Sequence, residues 1–183
     1  MLGMVFVTFT DWAEKVYGEA LVDELLSSTP LEGDGAYTAV GQYPYEDVIK
    51  LMVGLSQRVG RPVPDLCREF GGEMLEVLMA KHASMMPPGQ KLLDFLQTLQ
   101  GHIHAEVVKL YPEAQPPVVS CEDRTPRSVT LRYSSSRPFA DLAEGLLLGA
   151  IRHFGEPARL VRQDDADAGG TRAWFTLELD APR

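Results

Sequence analysis

Cysteine is scarce. Cys67 and Cys121 are the only two in a chain of 183 residues. Two are too few for a disulfide framework or a cysteine-built zinc cluster. The expected compartment is therefore a reducing cytoplasm. Basic charge is also short: 17 Lys and Arg face 26 Asp and Glu, a formal net charge of −9. That excludes the clustered cationic surface a nucleic acid or an anionic membrane requires. No long uncharged apolar run exists, so no transmembrane helix is expected. Met1 to Val7 lacks a basic flank and soon meets Asp11 and Glu14, unlike a signal peptide. There is no internal repeat and no low-complexity tract. The remaining composition, 45% hydrophobic and 23% charged, is that of a soluble globular protein. The length suits one large domain or two small ones with a sizeable core.

The first two thirds read mainly as helices. Met4 to Leu26 places Phe6, Phe9, Ala13, Val16, Ala20 and Leu25 near one stripe and ends before Ser27 to Pro30. A loop at Gly33, Asp34 and Gly35 follows. Tyr45 to Val59 turns Val48, Leu51, Met52 and Leu55 inward, with Gly60 as the stop. Pro64 opens a helix over Asp65 to Met79, in which Gly71 and Gly72 imply a kink or a close approach. Met85 to Gly89 is a break. Lys91 to Tyr111 carries Leu92, Leu96, Leu99, Ile103, Val107 and Leu110 as one continuous core stripe. From Val118 the period changes. Val129, Leu131 and Tyr133 alternate with polar residues as in a strand. Phe139 to Phe154 is a helix stopped by Gly155. Ala158 to Arg162 and Thr171 to Leu179 form a hairpin. The expected class is α+β, with a helical N-terminal part packed on a C-terminal antiparallel sheet with helices.

Four histidines are present. His82, beside Lys81 and Ser84, reads as a solvated residue. His153 ends a helix, where a protonated imidazole suits the dipole. His102 and His104 are two apart, so they point some 200° away from each other on a helix. His102 has Thr98, Ala105 and Glu106 beside it, a polar face. His104 has Gln100, Gly101, Val107 and Val108, next to the core stripe. Its side chain leans back over Gly101. Glycine there costs about 1 kcal/mol relative to alanine, which a flat ligand pressed on that turn would justify. On this segment alone, a hydrogen-bonded, partly buried histidine is the commoner outcome than a metal ligand.

Some twenty-nine residues after His104 come Tyr133, Ser135 and Arg137, which share parity. If the strand continues extended, all three face one side, and Pro138 favours extension of the residue before it. Arginine offers a planar fork for carboxylates, and the two hydroxyls add donors. Nothing here is a glycine-rich anion loop. Taken alone, the pattern is a polar strand end. Together with an inward histidine it fits a haem, with iron on His104 and the propionates on the clamp.

The chain resembles the H-NOX family, the haem nitric oxide/oxygen-binding domains, over nearly its whole length. Met1 to Phe6 resembles the family's opening and Ala36 to Pro44 its second block. His104 to Tyr111 resembles the proximal helix of the proteobacterial stand-alone type. Arg132 to Arg137 gives the propionate motif, and Ala143 to Ala150 the helix after it. The resemblance implies haem b on His104, with Tyr133, Ser135 and Arg137 on the propionates. It places Pro117 against the haem, and Val5, Phe9 and Met74 on the distal side. It implies that nitric oxide weakens the bond to the trans histidine and that the proximal helix moves, to be read by a partner in trans, often a histidine kinase or a diguanylate cyclase.

Two departures from the family pattern matter. Oxygen-binding members place a tyrosine nine residues after the motif tyrosine; here that position is Leu142. Nitric oxide and carbon monoxide are therefore the expected ligands, without stable oxygen binding. No cysteine occurs at Ala140, Asp141 or the Asp164 to Thr171 loop, so no structural zinc is expected. The expectation is a single haem-binding domain over residues 1–183, with a helical distal part over 1–84 and an α+β proximal part over 85–183. It is a cytoplasmic gas sensor and not an enzyme. The alternatives are a haem-dependent enzyme, a serine enzyme using Ser134, Ser135 or Ser136, and a haem-free scaffold. Against the serine enzyme, no Gly-x-Ser-x-Gly elbow is present.

Overall fold

The computed structural model describes residues 1–183 except 33–34, 84–85 and 182–183, and omits the side chain of residue 102. Gly33, Asp34, Ser84, Met85 and the face taken by His102 thus lie outside the described residues. The chain runs through α1 (Gly3–Tyr17), α2 (Glu19–Ser28), α3 (Tyr45–Val59), α4 (Val63–Lys81) and α5 (Leu92–Thr98). A π turn (Leu99–Ile103) leads into α6 (His104–Leu110). Then follow β1 (Val118–Arg124), β2 (Ser128–Ser134), α7 (Ala140–Phe154), β3 (Ala158–Asp164) and β4 (Arg172–Leu179). The strands form one antiparallel sheet in the order β1-β2-β4-β3, with β1 at an edge. The α+β class is the one expected. No helix among the described residues is long and apolar enough to cross a membrane.

Two of the expected long helices are interrupted. Gly18 takes φ +91° and divides the first into α1 and α2. An added Cβ there would meet nothing, so backbone conformation and not packing requires the glycine. The break changes the buried face. Trp12, Val22 and Leu25 are buried, whereas Val16 is 45% exposed and Ala20 is exposed. The second interruption is the π turn. The His104 N–H bonds the Leu99 carbonyl five residues back. Beyond it the stripe leaves the core, and Leu110 is 58% exposed. By contrast α3, α7 and the β3–β4 hairpin lie where their stops and alternation put them.

The apolar side chains gather into two cores. One joins α1 to α4 around Phe6, Phe9, Leu51, Leu66 and Phe70. The other joins α5, α7 and one sheet face around Leu92, Leu96, Leu131, Phe175 and Leu177. Helix α4 serves both, giving Met74 to the first and Leu75 and Met79 to the second. It crosses α7 at very close range. A Cβ on Gly71 would sit 2.5 Å from the Leu142 carbonyl oxygen, and one on Gly145 would overlap the Arg68 carbonyl. Ion pairs flank the crossing: Arg68 on α4 and Arg162 on β3 share Asp141 and Glu144 of α7. Burial works against charge on Arg162, but the hydrogen bonds it donates to Asp141, Asp164 and Glu144 outweigh it and raise its pKa.

Overpacking a close contact costs about 1–3 kcal/mol. Gly145→Ala should therefore lower the melting temperature, by roughly 2–4 °C per kcal/mol for a chain of this size. An unchanged thermal melt would show that the two helices separate freely.

Candidate functional site

Between the two cores lies a mostly apolar cavity of about 310 Å³. Its walls come from α1 (Met4, Val5), α4 (Met74, Leu75, Leu78, Met79), α7 (Leu142, Leu146) and the sheet (Leu131, Tyr133). The π turn and α6 close the opposite side with Ile103, His104 and Val107, followed by Pro116 and Pro117.

His104 is the first residue of α6 and closes the π turn through its own N–H. It lines the cavity and is half-buried. Burial lowers its pKa, while the Pro117 carbonyl, accepting from the ring, works in the opposite sense. The net effect favours neutral imidazole, the form that ligates a metal. Its Nδ1 lies 3.5 Å from the Gln100 side-chain oxygen. Gly101, over which the ring was expected to lean, is exposed and stands outside the cavity lining. A Cβ there would meet no protein atom among the described residues.

Tyr133, Ser135 and Arg137 reach the cavity together. Strand β2 ends at Ser134, but the extended path persists: the Ser135 N–H bonds the Thr171 carbonyl at 2.9 Å. The three side chains are linked. Tyr133 hydrogen-bonds Ser135, whose Oγ accepts the Arg137 N–H at 3.1 Å. Burial raises the Tyr133 pKa, against the hydrogen bond to Ser135 and the positive charges of Arg137 and Arg162, so its hydroxyl stays a donor. The Arg137 guanidinium has only neutral partners among the described residues. It donates to the Gln115 carbonyl (3.4 Å) and Oε1 (3.1 Å), and lies over the Tyr45 ring at 5.6 Å. A cation on neutral acceptors at a cavity rim suits an incoming carboxylate. Arg132 points to the other sheet face, toward Glu122 at 3.8 Å.

Of the remaining expected residues, Val5, Met74, Pro117 and Leu142 line the cavity. Phe9 does not. It is fully buried behind the wall, 5.6 Å from Phe70 and 5.8 Å from Trp12. His82 does line it, contrary to its reading as a solvated residue. Burial and the neighbouring Lys81 charge lower its pKa. The signal was available: Met74, Leu78 and His82 recur every four residues along one face of α4 and onto the residue that caps it. His153 pairs with Glu76 at 3.0 Å, outside the cavity.

A neutral histidine, an apolar slot and a donor-rich rim fit a flat apolar group with a metal centre and an acidic edge. A family model described as Haem-NO-binding matches residues 2–161. The chain belongs to the H-NOX family. Solved H-NOX structures share its fold. The Fe(II) unliganded protein from K. algicida has 27% identity and a TM-score of 0.93, over 100% of this chain and 98% of that one. The S. oneidensis protein in the Fe(II)NO state has 25% identity and a TM-score of 0.90, over 99% and 100%. The same organism's H-NOX domain in the Fe(II)CO state has 25% identity and a TM-score of 0.87, over 100% of both chains. No curated protein matches the chain.

His82 and His104, which line the cavity of this H-NOX chain, give a pH dependence. Their folded-state pKa values are lowered, so the unfolded chain takes up protons that the folded chain does not. Stability of the haem-free protein is full above the ordinary histidine pKa of about 6.5 and falls as pH drops below it. Ring resonances of both histidines, followed by NMR, should titrate below that value. His82→Leu should flatten part of the loss. Titration at or above 6.5 would remove the burial argument.

Proposed function

We propose that this chain is a haem-carrying sensor of diatomic gases with no catalysis of its own. The observation that carries this reading is the convergence of His104, Tyr133, Ser135 and Arg137 on one apolar cavity between two cores. His104 serves as the iron ligand. Tyr133, Ser135 and Arg137 hold the propionates of haem b by charge-assisted hydrogen bonds. Pro117 closes the proximal wall. Val5, Met74 and Leu142 form the distal wall, with Phe9 backing it. Residues 1–84 form the mainly helical distal part of a single domain and residues 85–183 its α+β proximal part, from which α7 also lends Leu142 to the distal wall. When bound, the haem would supply an iron able to take up a diatomic gas.

The ligands are nitric oxide and carbon monoxide, the gases bound in the two S. oneidensis structures. Bound oxygen carries partial negative charge and is held by a hydrogen-bond donor. Leu142, Val5 and Met74 have none to offer. Tyr17, Tyr37 and Tyr43 stand outside the cavity lining. Tyr17 accepts from Arg61, Tyr37 stacks on Phe6 at 4.4 Å, and the Tyr43 hydroxyl binds the Thr38 N–H. His82 lies two turns beyond Met74, about 12 Å along the helix axis.

The signal leaves through α6. It is seven residues long, buries none of them, and exposes Val108 and Leu110. A change at His104, the one contact of this reading between α6 and the haem, would free the helix from the cavity side. The receiver is a separate cytoplasmic protein, a histidine kinase or a diguanylate cyclase.

Haem retention tests the ligand set. His104→Gly should lose haem unless imidazole is supplied, while His102→Ala keeps it. Hydrogen bonds to charged groups contribute about 1.5–3 kcal/mol, so Arg137→Ala should release haem roughly 10–100-fold faster. Arg132→Ala should release it at the native rate. Retention by His104→Gly without imidazole, or equal effects of the two arginines, would overturn the assignment.

Gas selectivity tests the distal wall. The absorption spectrum of the reduced protein should change with nitric oxide and with carbon monoxide, and show no stable oxygen complex in air. Leu142→Tyr supplies a donor and should add some oxygen binding where neighbours hold the hydroxyl. A stable oxygen complex in the unaltered protein would refute the selectivity.

A further inference from the structure

Gln100 lies within the π turn, four residues before His104. Its side-chain oxygen does two things. It stands 3.5 Å from His104 Nδ1, and it accepts the Val119 N–H at 2.9 Å. Val119 belongs to β1, the edge strand, and its cross-strand partner is Tyr133 of the clamp. An edge strand presents outward N–H groups that no neighbouring strand pairs. Gln100 therefore satisfies such a donor and meets the ring of the histidine with one atom.

We propose that Gln100 is the positioning residue for His104: its oxygen accepts the Nδ1 proton, fixes the tautomer that leaves Nε2 for the iron, and ties ring orientation to the β1–β2 pair that carries Tyr133. This rests on the reading of His104 as the iron ligand. The physical basis is general. A ligating imidazole whose other nitrogen donates a hydrogen bond is held in one tautomer and becomes a stronger base, the more so as the acceptor gains negative charge. A neutral amide gives moderate donation. The histidine is kept in place yet can still be released. The geometry also links the histidine to the clamp: a shift of the ring is transmitted through Gln100 and Val119 to the strand position opposite Tyr133.

Two variants separate the effects. Gln100→Leu removes the acceptor, and Gln100→Glu replaces it with a carboxylate. In the haem-loaded protein, the iron–histidine stretching frequency from resonance Raman should fall in Gln100→Leu and rise in Gln100→Glu. Outer-shell partners of metal ligands typically carry 10–100-fold in metal affinity, so haem loss from Gln100→Leu should be about 10-fold faster or more. In the haem-free protein, the ¹⁵N shift of His104 Nδ1 should move in both variants, and the Val119 amide should exchange faster in Gln100→Leu. A merely structural glutamine would not move the stretching frequency in opposite directions. Native frequencies and native Nδ1 shifts in both variants would overturn the proposal and leave the Pro117 carbonyl as the ring's partner. The haem-free measurements stand even if His104→Gly retains haem, so failure of the ligand assignment is told apart from failure of this contact.

Discussion

The contact of the α4 backbone with the α7 backbone is the constraint on which the rest of the structure depends. Gly71 and Gly145 let the two helices approach until a single added methyl group would overlap a carbonyl oxygen. That approach fixes how the N-terminal core sits against the sheet. Two apolar cores are joined there, beside the ion pairs of Arg68 and Arg162 with Asp141 and Glu144. Away from the crossing the cores part, and the cavity occupies the space between them. Its walls are apolar because they are the unpaired faces of two hydrophobic clusters. Its polar groups include His104 at the start of α6, Tyr133, Ser135 and Arg137 at and just after the end of β2, and His82 and Gln42 from the N-terminal part.

The chemistry of the site follows from this placement. A histidine at the start of a short, superficial helix is half-buried on its cavity side, and burial keeps it neutral. A buried strand residue, Tyr133, brings its hydroxyl to the cavity with Ser135 and Arg137 in line behind it. Arg137 is held by an amide and an aromatic face and not by a carboxylate. Its charge is therefore available to an acidic ligand. These features suit a metal-bearing planar molecule with carboxylates at one edge. Leu142, which lines the same cavity, has no hydrogen-bond donor of its own.

Much of this was legible in the sequence. The glycine stops after α3 and α7 and the alternation of β2 and β4 placed those elements, because each is a local signal. The parity of Tyr133, Ser135 and Arg137 placed the clamp on one side of an extended segment. The π turn was not legible. A wider turn carries one more residue than an α turn, and the apolar spacing of Leu92 to Leu110 tolerates it, so the run reads as one helix. Gly18 was hidden in the same way by a stripe that continues on both sides of it. His82 looked solvated from its polar neighbours, although its spacing from Met74 put it on the cavity face. Phe9 was assigned to the ring by resemblance, while the aromatic packing of Phe70 and Trp12 draws it one layer back. The place of Gln100 depends on β1 arriving beside the helix, a long-range pairing that no local pattern reveals.

The central claim is that the cavity between the two cores is a haem site. The most direct measurement is the absorption spectrum of the purified protein, as isolated and after reduction, with haem quantified per chain. The account predicts an intense haem band that shifts on reduction, and saturation at one haem per chain when the haem-free protein is titrated. A folded chain that is colourless as isolated and takes up no haem on titration would contradict it.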